Sequence, residues 1–270
     1  MSHLLEVRNL RKSFARGGGA FANGDPAERF VAVNDLSFDV TAGETFAVVG
    51  ESGCGKTTLA RMILRLIEPD SGAILFEDRD LLRLKGEELR AQRRQMQMIF
   101  QDPFASLNPR LRVGEIVGEP LAIHEPRRTP AQRMELVVAM LRRVGLDTAA
   151  LKRYPHEFSG GQRQRIGIAR ALILRPKLVV ADEPVSALDV SVGAQVLLLL
   201  QELQRDLQLT YLFISHSLPV VAQLASHIAV MRAGQMVESG PATQVLKAPT
   251  HAYTRALLAA VPEIPQPGTV

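Results

Sequence analysis

The chain has 270 residues, 46% of them apolar, which is enough for a large core in one domain with a subdomain, or in two domains. Its net charge of +4 is too small to indicate binding to nucleic acid or anionic lipid, and we expect no nucleic-acid partner. The single cysteine, Cys54, excludes an internal disulfide, so the fold does not depend on an oxidising compartment.

The N-terminal stretch MSHLLEVRNLRKSF lacks a charged region followed by a long apolar run, so we expect no signal peptide. The most apolar patch, residues 196–203, is too short to cross a bilayer, and the sequence therefore predicts a cytosolic protein. Glycine-rich residues 15–28 are expected to form a flexible surface loop, and proline-rich residues 261–270 a disordered tail.

Short β-branched and aromatic runs alternate with helical patterns along the chain. The predicted strands are TFAVV before Gly50, AILF from Ala73, MQMIF from Met96, KLVVA from Lys177, TYLFI from Thr210 and HIAVM from His227. This order predicts an α/β domain with a largely parallel central sheet. Between Asp102 and Phe158 two amphipathic stretches, residues 112–122 and 130–144, predict a helical subdomain inserted into that core.

The segment GESGCGKTT matches the phosphate-binding pattern G-x-x-x-x-G-K-[ST] between a strand and a helix that begins near Thr57, a context that disfavours a plain glycine turn. Amides of Gly53, Cys54 and Gly55 are expected to hold phosphate oxygens, while Lys56 neutralises phosphate charge and the Thr57 hydroxyl ligates Mg²⁺. Cys54 stands at a variable position and is not expected to be a catalytic thiol. The predicted contacts of this loop are Gly50, Glu51, Ser52, Gly53, Cys54, Gly55, Lys56, Thr57 and Thr58.

Polar side chains follow three further predicted strands. In KLVVADEP we expect Asp182 to hold the Mg²⁺ shell and Glu183 to polarise the attacking water; an acidic pair alone would more often be a turn or a helix cap. His216 could touch the γ-phosphate or that water, or simply end its strand. Gln101 could reach both Mg²⁺ and water, or be a solvated side chain.

A second phosphate-binding pattern lies in YPHEFSGGQRQRIGIARAL, residues 154–172. Ser159, Gly160 and Gly161 precede a helix whose apolar face contains Ile166 and Ala169, which is the arrangement of an anion site. One nucleotide domain with two such sites requires an explanation.

In this order the motifs resemble those of the nucleotide-binding subunit of an ABC transporter, over essentially the whole chain. SGGQ resembles the ABC signature, preceded by Phe158 where Leu is commoner, and VSALD resembles the D-loop with Ser186 and Asp189. Gln101 falls at the Q-loop and His216 at the switch histidine. The resemblance adds Ser159, Gly160, Gly161, Gln162 and Asp189 to the predicted nucleotide contacts.

The resemblance implies a P-loop NTPase (ABC ATPase) fold with a mostly parallel core sheet, an antiparallel β subdomain and an inserted α-helical subdomain. Within one nucleotide-binding domain, residues 1–101 and 162–240 would form the catalytic core. Residues 102–161 would form the helical subdomain with the signature, and residues 241–270 a C-terminal helix and tail.

The resemblance also accounts for the two phosphate motifs. Two subunits would pack head to tail, with each ATP between the P-loop of one and the signature of the other. ATP would close the dimer, and hydrolysis would open it.

An aromatic platform for adenine is expected at Phe14, which can stack on a base but cannot hydrogen-bond to it. Phe14 in a strand could instead belong to the core, and Phe21 and Phe30 are rivals for the same role.

Residues 100–121 and 248–262 resemble segments of oligopeptide and dipeptide importers and their nickel and glutathione relatives. The resemblance implies ATP hydrolysis that drives uptake at the cytoplasmic face of the cell membrane. Expected partners are a second ATPase subunit, identical or different, two permeases and an extracytoplasmic solute-binding protein. With Cys54 alone, no iron–sulfur cluster is possible, and Ser217 replaces the usual Asp after the switch histidine.

Three alternatives stay open on sequence alone. The cargo could be a peptide, glutathione, an opine or nickel. The chain could be an accessory ABC ATPase of a soluble complex, such as one in phosphonate metabolism, or a nucleotide-binding regulator without turnover. Finally, Leu107, Val113, Ile116 and Val117 could line a groove that accepts a permease helix, or could pack the core of the helical subdomain.

Overall fold

A computed structural model describes residues 3–15, 29–102 and 104–260 of the chain. Most of the predicted flexible loop, residues 16–28, and the predicted tail, residues 261–270, lie outside the described residues.

The described strands are β1 (His3–Ala15), β2 (Arg29–Thr41), β3 (Thr45–Val49), β4 (Ser71–Phe76), β5 (Arg79–Asp80), β6 (Met96–Ile99), β7 (Leu178–Asp182), β8 (Thr210–Ser215), β9 (His227–Arg232) and β10 (Gln235–Pro241). The described helices are α1 (Lys56–Ile63), α2 (Gly86–Gln95), α3 (Val113–His124), α4 (Pro130–Arg143), α5 (Gly160–Leu172), α6 (Val190–Leu207), α7 (Leu218–Ala222), α8 (Ala242–Lys247) and α9 (Ala252–Ala259), with 3₁₀ turns at Thr148–Lys152 and Pro155–Glu157.

The central sheet has six strands in the order β10-β9-β3-β8-β7-β6. β9, β3, β8, β7 and β6 pair in parallel, and β10 adds an antiparallel edge. The predicted mostly parallel core is therefore confirmed. The run AILF is counted among the predicted strands of this domain, but it forms part of β4, which belongs to a separate antiparallel sheet.

Alternation along the parallel strands divides the core into two layers. In β8, Tyr211 and Phe213 point toward α5 and α6, while Leu212 and Ile214 point toward α1 and the antiparallel sheet. Because both faces are covered, these strands read as continuous apolar runs rather than alternating ones.

The second sheet is antiparallel, in the order β2-β1-β4-β5, as the family resemblance implies. Phe14 of β1 pairs with Phe30 of β2 at one end of the sheet. Asp70, which precedes β4, stabilises this end of β1. Its carboxylate accepts hydrogen bonds from the Ser13 amide (2.7 Å) and hydroxyl (2.6 Å) and from Lys12 (3.0 Å). These bonds, that of the Ser13 hydroxyl foremost, hold the pKa of Asp70 at about 2.

Between Asp102 and Phe158, where the sequence predicts a helical insertion, the described residues contain helices and turns and no strand. The helix α4 begins where Thr129 accepts a hydrogen bond from the Gln132 amide and Pro130 occupies the first turn. The predicted division at residues 101/102, 161/162 and 240/241 stays a prediction.

The four residues proposed as lining of a permease groove pack the interior of this helical region instead. Leu107, Val113, Ile116 and Val117 are each at most 2% exposed, within the core layer that also holds α5. The groove interpretation of these four side chains is therefore wrong.

Within residues 3–15, 29–102 and 104–260, no helix combines the length and hydropathy needed to span a bilayer.

Candidate functional site

The loop between β3 and α1 packs closely against the backbone of β2 and β9. A Cβ atom on Gly50 would lie 2.1 Å from the carbonyl oxygen of Met231, and one on Gly55, whose φ is +108°, would lie 2.0 Å from that of Ala32. The Gly234 amide donates to the Cys54 carbonyl at 3.0 Å. Glycine is therefore required at Gly50 and Gly55 by close backbone approach and, at Gly55, also by the left-handed conformation.

Lys56 begins α1 and is 5% exposed. Its ammonium group donates to the carbonyls of Gly50 (2.7 Å) and Glu51 (2.8 Å). The charge is thus held inside the loop, at the point where a phosphate group would enter. The neighbouring Cys54 thiol is buried, and burial raises its pKa, which agrees with the expectation that it is not a nucleophile.

Two predicted magnesium ligands meet at the base of this loop. The Thr57 hydroxyl donates to Oδ1 of Asp182 at 3.3 Å, and Asp182 is 3% exposed. Burial raises the pKa of Asp182; the Thr57 bond opposes this rise, and the Glu183 carboxylate adds to it. A buried carboxylate beside a hydroxyl fits Mg²⁺, which binds through one or two protein oxygens together with substrate phosphates. The described residues contain no cluster of three His, Cys, Asp or Glu that could hold a metal without such help.

Glu183 stands at the centre of the polar side chains. Its Oε2 accepts from Gln101 Nε2 at 3.1 Å and lies 2.9 Å from His216 Nδ1. The residue has a φ of +46°, and its amide donates to the Ile214 carbonyl at 2.9 Å. Non-glycine residues in this conformation are uncommon and require support from their surroundings, which here aims the carboxylate between Gln101 and His216.

Most of the predicted P-loop and catalytic residues surround one cleft of about 250 Å³. Its lining consists of Ser52, Gly53, Gly55, Lys56, Thr57, Thr58, Gln101 and Glu183. His216 and Asp182 do not line the cleft, but His216 contacts Glu183 and Asp182 contacts Thr57, which do. The Cys54 amide is expected to hold a phosphate oxygen, but here it donates to the Glu51 carbonyl at 3.3 Å.

Phe14 and Phe30 lie opposite each other in the β1–β2 register and are 40% and 51% exposed. The core alternative for Phe14 is therefore not supported. Phe30 is two residues from Ala32, whose carbonyl meets Gly55, so the aromatic pair lies about 7 Å along the strand from the phosphate loop. Phe21 lies outside the described residues. The choice of Phe14 as the aromatic platform for a base stays a prediction.

The signature residues are held apart from this cleft at the start of α5. Ser159 caps the helix by accepting from the Gln162 amide (3.4 Å), while the Ser159 amide donates to the Gln162 side chain (3.1 Å). Asp189 caps α6 by accepting from the Val192 amide at 3.0 Å. Ser159, Gly160, Gly161, Gln162 and Asp189 are all absent from the lining of the P-loop cleft.

Comparison with known proteins agrees with this geometry. Residues 33–186 match the family model described as ABC transporter. The chain belongs to the ABC transporter family.

Residues 237–269 of this ABC chain match the model for the oligopeptide/dipeptide transporter C-terminal region. The chain is 52% identical to a probable peptide ABC transporter ATP-binding protein of Sinorhizobium fredii, over 98% of this chain and 74% of the relative. It is 50% identical to the oligopeptide transport ATP-binding protein OppF of Escherichia coli, over 98% of this chain and 79% of the relative.

Among solved structures, the dimeric post-hydrolysis state of the ATP-binding cassette MJ0796, bound to ADP and Pi, superimposes with a TM-score of 0.77. The sequences are 26% identical, and the match covers 88% of this chain and 98% of that one. The predicted ABC ATPase fold and the family resemblance are confirmed.

The structure adds contacts that the ABC motifs do not contain. Met231 and Ala32 press on the glycines of the P-loop, Val192 packs against Gly161, and the hydroxyl of Tyr253 accepts from the Glu51 amide at 3.3 Å. Each of these residues is distant in sequence from the motif it supports. No local pattern in a single sequence distinguishes them from ordinary core residues.

The contact between Gly161 and Val192 yields a stability prediction. A methyl group at residue 161 would lie 2.3 Å from Val192 Cγ1. Gly161→Ala should therefore lower the free energy of unfolding by about 1–3 kcal/mol through overpacking, measured by urea denaturation.

The matched control is Gly167→Ala on the same helix, where a Cβ meets nothing within 4 Å. This substitution should be neutral or stabilising by up to about 1 kcal/mol, because alanine is the better helix former. Equal effects of the two substitutions would contradict the packing explanation.

Proposed function

We propose that this chain is the ATP-hydrolysing subunit of an ABC importer for peptides or related small solutes. The observation that carries the proposal is Glu183, whose carboxylate contacts both Gln101 and His216 beside the P-loop cleft. The names of the relatives support peptides of the dipeptide or oligopeptide class, and nickel, glutathione and opines remain in the proposed range.

ATP would bind with its phosphates on the P-loop, where Lys56 and the backbone amides offset the negative charge. Thr57 and Asp182 would hold Mg²⁺, and the Gln101 side chain would also contact the ion. The metal would neutralise charge at the phosphates. Phe14 would stack on the adenine, with Phe30 beside it on the same sheet face.

Glu183 would act as the general base for the attacking water. Glu183 lines the cleft, so its carboxylate would be within reach of a water that faced the γ-phosphate. His216 is half exposed, and its Nδ1 lies 2.9 Å from the Glu183 carboxylate. The His216 ring would also contact the γ-phosphate or the attacking water. Gln101 donates to the same oxygen of Glu183 and follows β6, the strand on the other side of β7 from β8.

The signature would complete the site of a second ATPase subunit. Ser159 is exposed at the N-terminus of the 13-residue helix α5, and no signature residue lines the P-loop cleft of its own chain. A helix N-terminus favours an anion through its positive dipole end and backbone amides, and here the anion would come with the partner's ATP. The solved cassette that resembles this chain is dimeric, which supports a pair of ATPase subunits. We propose that the pair is head to tail, as a homodimer or a heterodimer.

The groove for a permease helix would lie beside the end of β6. A groove of about 290 Å³ opens there, and its rim includes the exposed apolar side chains of Leu66, Phe100 and Ile123. The assembly would comprise two ATPase subunits at the cytoplasmic face of the membrane, two permeases and an extracytoplasmic solute-binding protein. An exposed apolar rim on an otherwise charged surface suits a partner protein.

Replacing the general base tests the catalytic assignment. Glu183→Gln should lower kcat for phosphate release by about a hundredfold or more, because an amide cannot accept the proton of water. Gel filtration with ATP and the native partner subunit should then show an accumulated dimer. Glu202→Gln on the exposed face of α6 serves as the control and should retain wild-type turnover. A Glu183→Gln protein that stays monomeric with ATP would contradict the head-to-tail pair with ATP between the two subunits.

A charge at the signature tests the shared site. Ser159→Asp keeps a good helix cap but directs a carboxylate at the γ-phosphate of the partner's ATP. We expect ATP binding by the isolated chain to change by less than about twofold, and ATP-dependent dimerisation and hydrolysis to fall by at least about tenfold.

Ser159→Asn is the matched control, because asparagine has the size of aspartate and also caps helices but carries no charge. It should retain most of the activity in the same phosphate-release assay. Position 159 is preferable to 161, where any side chain would also collide with Val192 in its own chain. Loss of ATP binding by the isolated Ser159→Asp chain would indicate that the signature serves its own P-loop.

Copurification from solubilised membranes tests the importer. The tagged wild-type chain should retain two permeases, and Ile123→Glu on the groove rim should lose them, because a charge replaces an apolar contact. Leu198→Glu, at a similarly exposed apolar position on α6, should keep them. Recovery of a soluble complex without permeases would favour the accessory ATPase instead.

A further inference from the structure

Both polar groups of the peptide between Gly50 and Glu51 are hydrogen-bonded to side chains. Its carbonyl oxygen, from Gly50, accepts from Lys56 Nζ at 2.7 Å, and its N–H, from Glu51, donates to the hydroxyl of Tyr253 at 3.3 Å. A peptide group is planar and turns as one unit. Any rotation that breaks the Tyr253 contact therefore also moves the carbonyl that receives the Lys56 ammonium.

Tyr253 reaches this peptide from α9, near the end of the chain. The side chain is 8% exposed, and the Arg232 guanidinium lies 4.9 Å from the centre of its ring. Burial raises the pKa of the Tyr253 phenol, so the hydroxyl is neutral at physiological pH and accepts the Glu51 hydrogen bond without carrying charge.

A carboxylate anchors the helix that carries Tyr253. Glu238 on β10 accepts from the amides of Thr250 (2.7 Å) and His251 (3.1 Å), immediately before α9 begins. Burial alone would raise the pKa of Glu238, but the Thr254 side chain foremost, and then the Thr250 and His251 amides, hold it at about 2. The acceptor is thus fully ionised at neutral pH, and α9 is fixed to the central sheet next to the P-loop.

Packing alone does not account for the hydroxyl of Tyr253. A phenylalanine ring would fill the same space against Arg232, whereas the oxygen adds one hydrogen bond to a backbone group of the P-loop. An unpaired, partly buried amide is costly, and in this loop it would also loosen the geometry around Lys56.

We propose that Tyr253 is a positioning residue of the phosphate site, through which α9 fixes the Gly50–Glu51 peptide and, with it, the Lys56 ammonium. The C-terminal helix is then part of the nucleotide-binding apparatus rather than a separate appendage. This inference rests on the ATP binding proposed above.

The test is Tyr253→Phe, which removes one oxygen and keeps the ring. The dissociation constants of ATP and ADP should rise by about three- to tenfold, the equivalent of one lost hydrogen bond. The KM for ATP should rise in parallel with kcat nearly unchanged, because Tyr253 acts on binding and contacts neither Glu183 nor His216. Hydrogen exchange at the Glu51 amide should become faster with no nucleotide present.

Tyr211→Phe is the matched control. Tyr211 is 1% exposed and donates to the Leu200 carbonyl at 3.1 Å, near the end of the sheet opposite the P-loop. Its loss should lower Tm without changing ATP affinity or exchange at Glu51. A Tyr253→Phe protein that behaved in this way would reduce Tyr253 to a structural role and overturn the proposal.

Glu238→Gln provides a second, independent variant. If Glu238 acts through α9 and Tyr253, the ATP-affinity losses of Glu238→Gln and Tyr253→Phe should be clearly non-additive in the double variant. Full additivity would overturn the proposed path from β10 to the P-loop. A wild-type chain that bound no ATP would refute the proposed function, whereas the exchange rate at Glu51 would still decide the role of Tyr253.

Discussion

The parallel pairing of β3, β7 and β8 is the constraint on which the candidate site depends. Val49 pairs with Ser215 and Asp182 with Ile214, so three segments far apart in sequence end at one edge of the sheet. A slip of one residue in any of these strands would turn its fully buried side chains to the opposite layer. The hydrophobic core therefore fixes the relative positions of the P-loop, the acidic pair and His216 before any ligand is considered.

The geometry of Glu183 shows how strain is tolerated at that edge. A left-handed conformation at a non-glycine residue costs about 1–3 kcal/mol and persists only where neighbours hold it. Here the Glu183 amide donates to the Ile214 carbonyl, and its carbonyl accepts from the Ser186 amide at 3.2 Å. The backbone of the adjacent strand thus supports a conformation that brings the carboxylate between Gln101 and His216.

Local patterns in the sequence were sufficient for the parallel strands, the P-loop and the helices α4 and α5, because each depends on neighbouring residues. They were insufficient where distant pairing decides the outcome. AILF has the composition of a core strand, yet its partner is β1 rather than β3. Phe30 becomes a neighbour of Phe14 only through the β1–β2 register, and Leu107 is apolar whether it lines a groove or fills a core.

The two phosphate-binding motifs of the chain are separate in space but are joined by a short, packed connection. Only five residues separate Glu183 from Asp189, which caps α6, and in the first turn of that helix Val192 contacts Gly161 of the signature. A displacement of the α5 N-terminus would therefore press on α6 and on the segment that leads back to Glu183. In a head-to-tail pair, each chain would thus link the nucleotide site it completes for its partner to Glu183, the proposed general base of its own site.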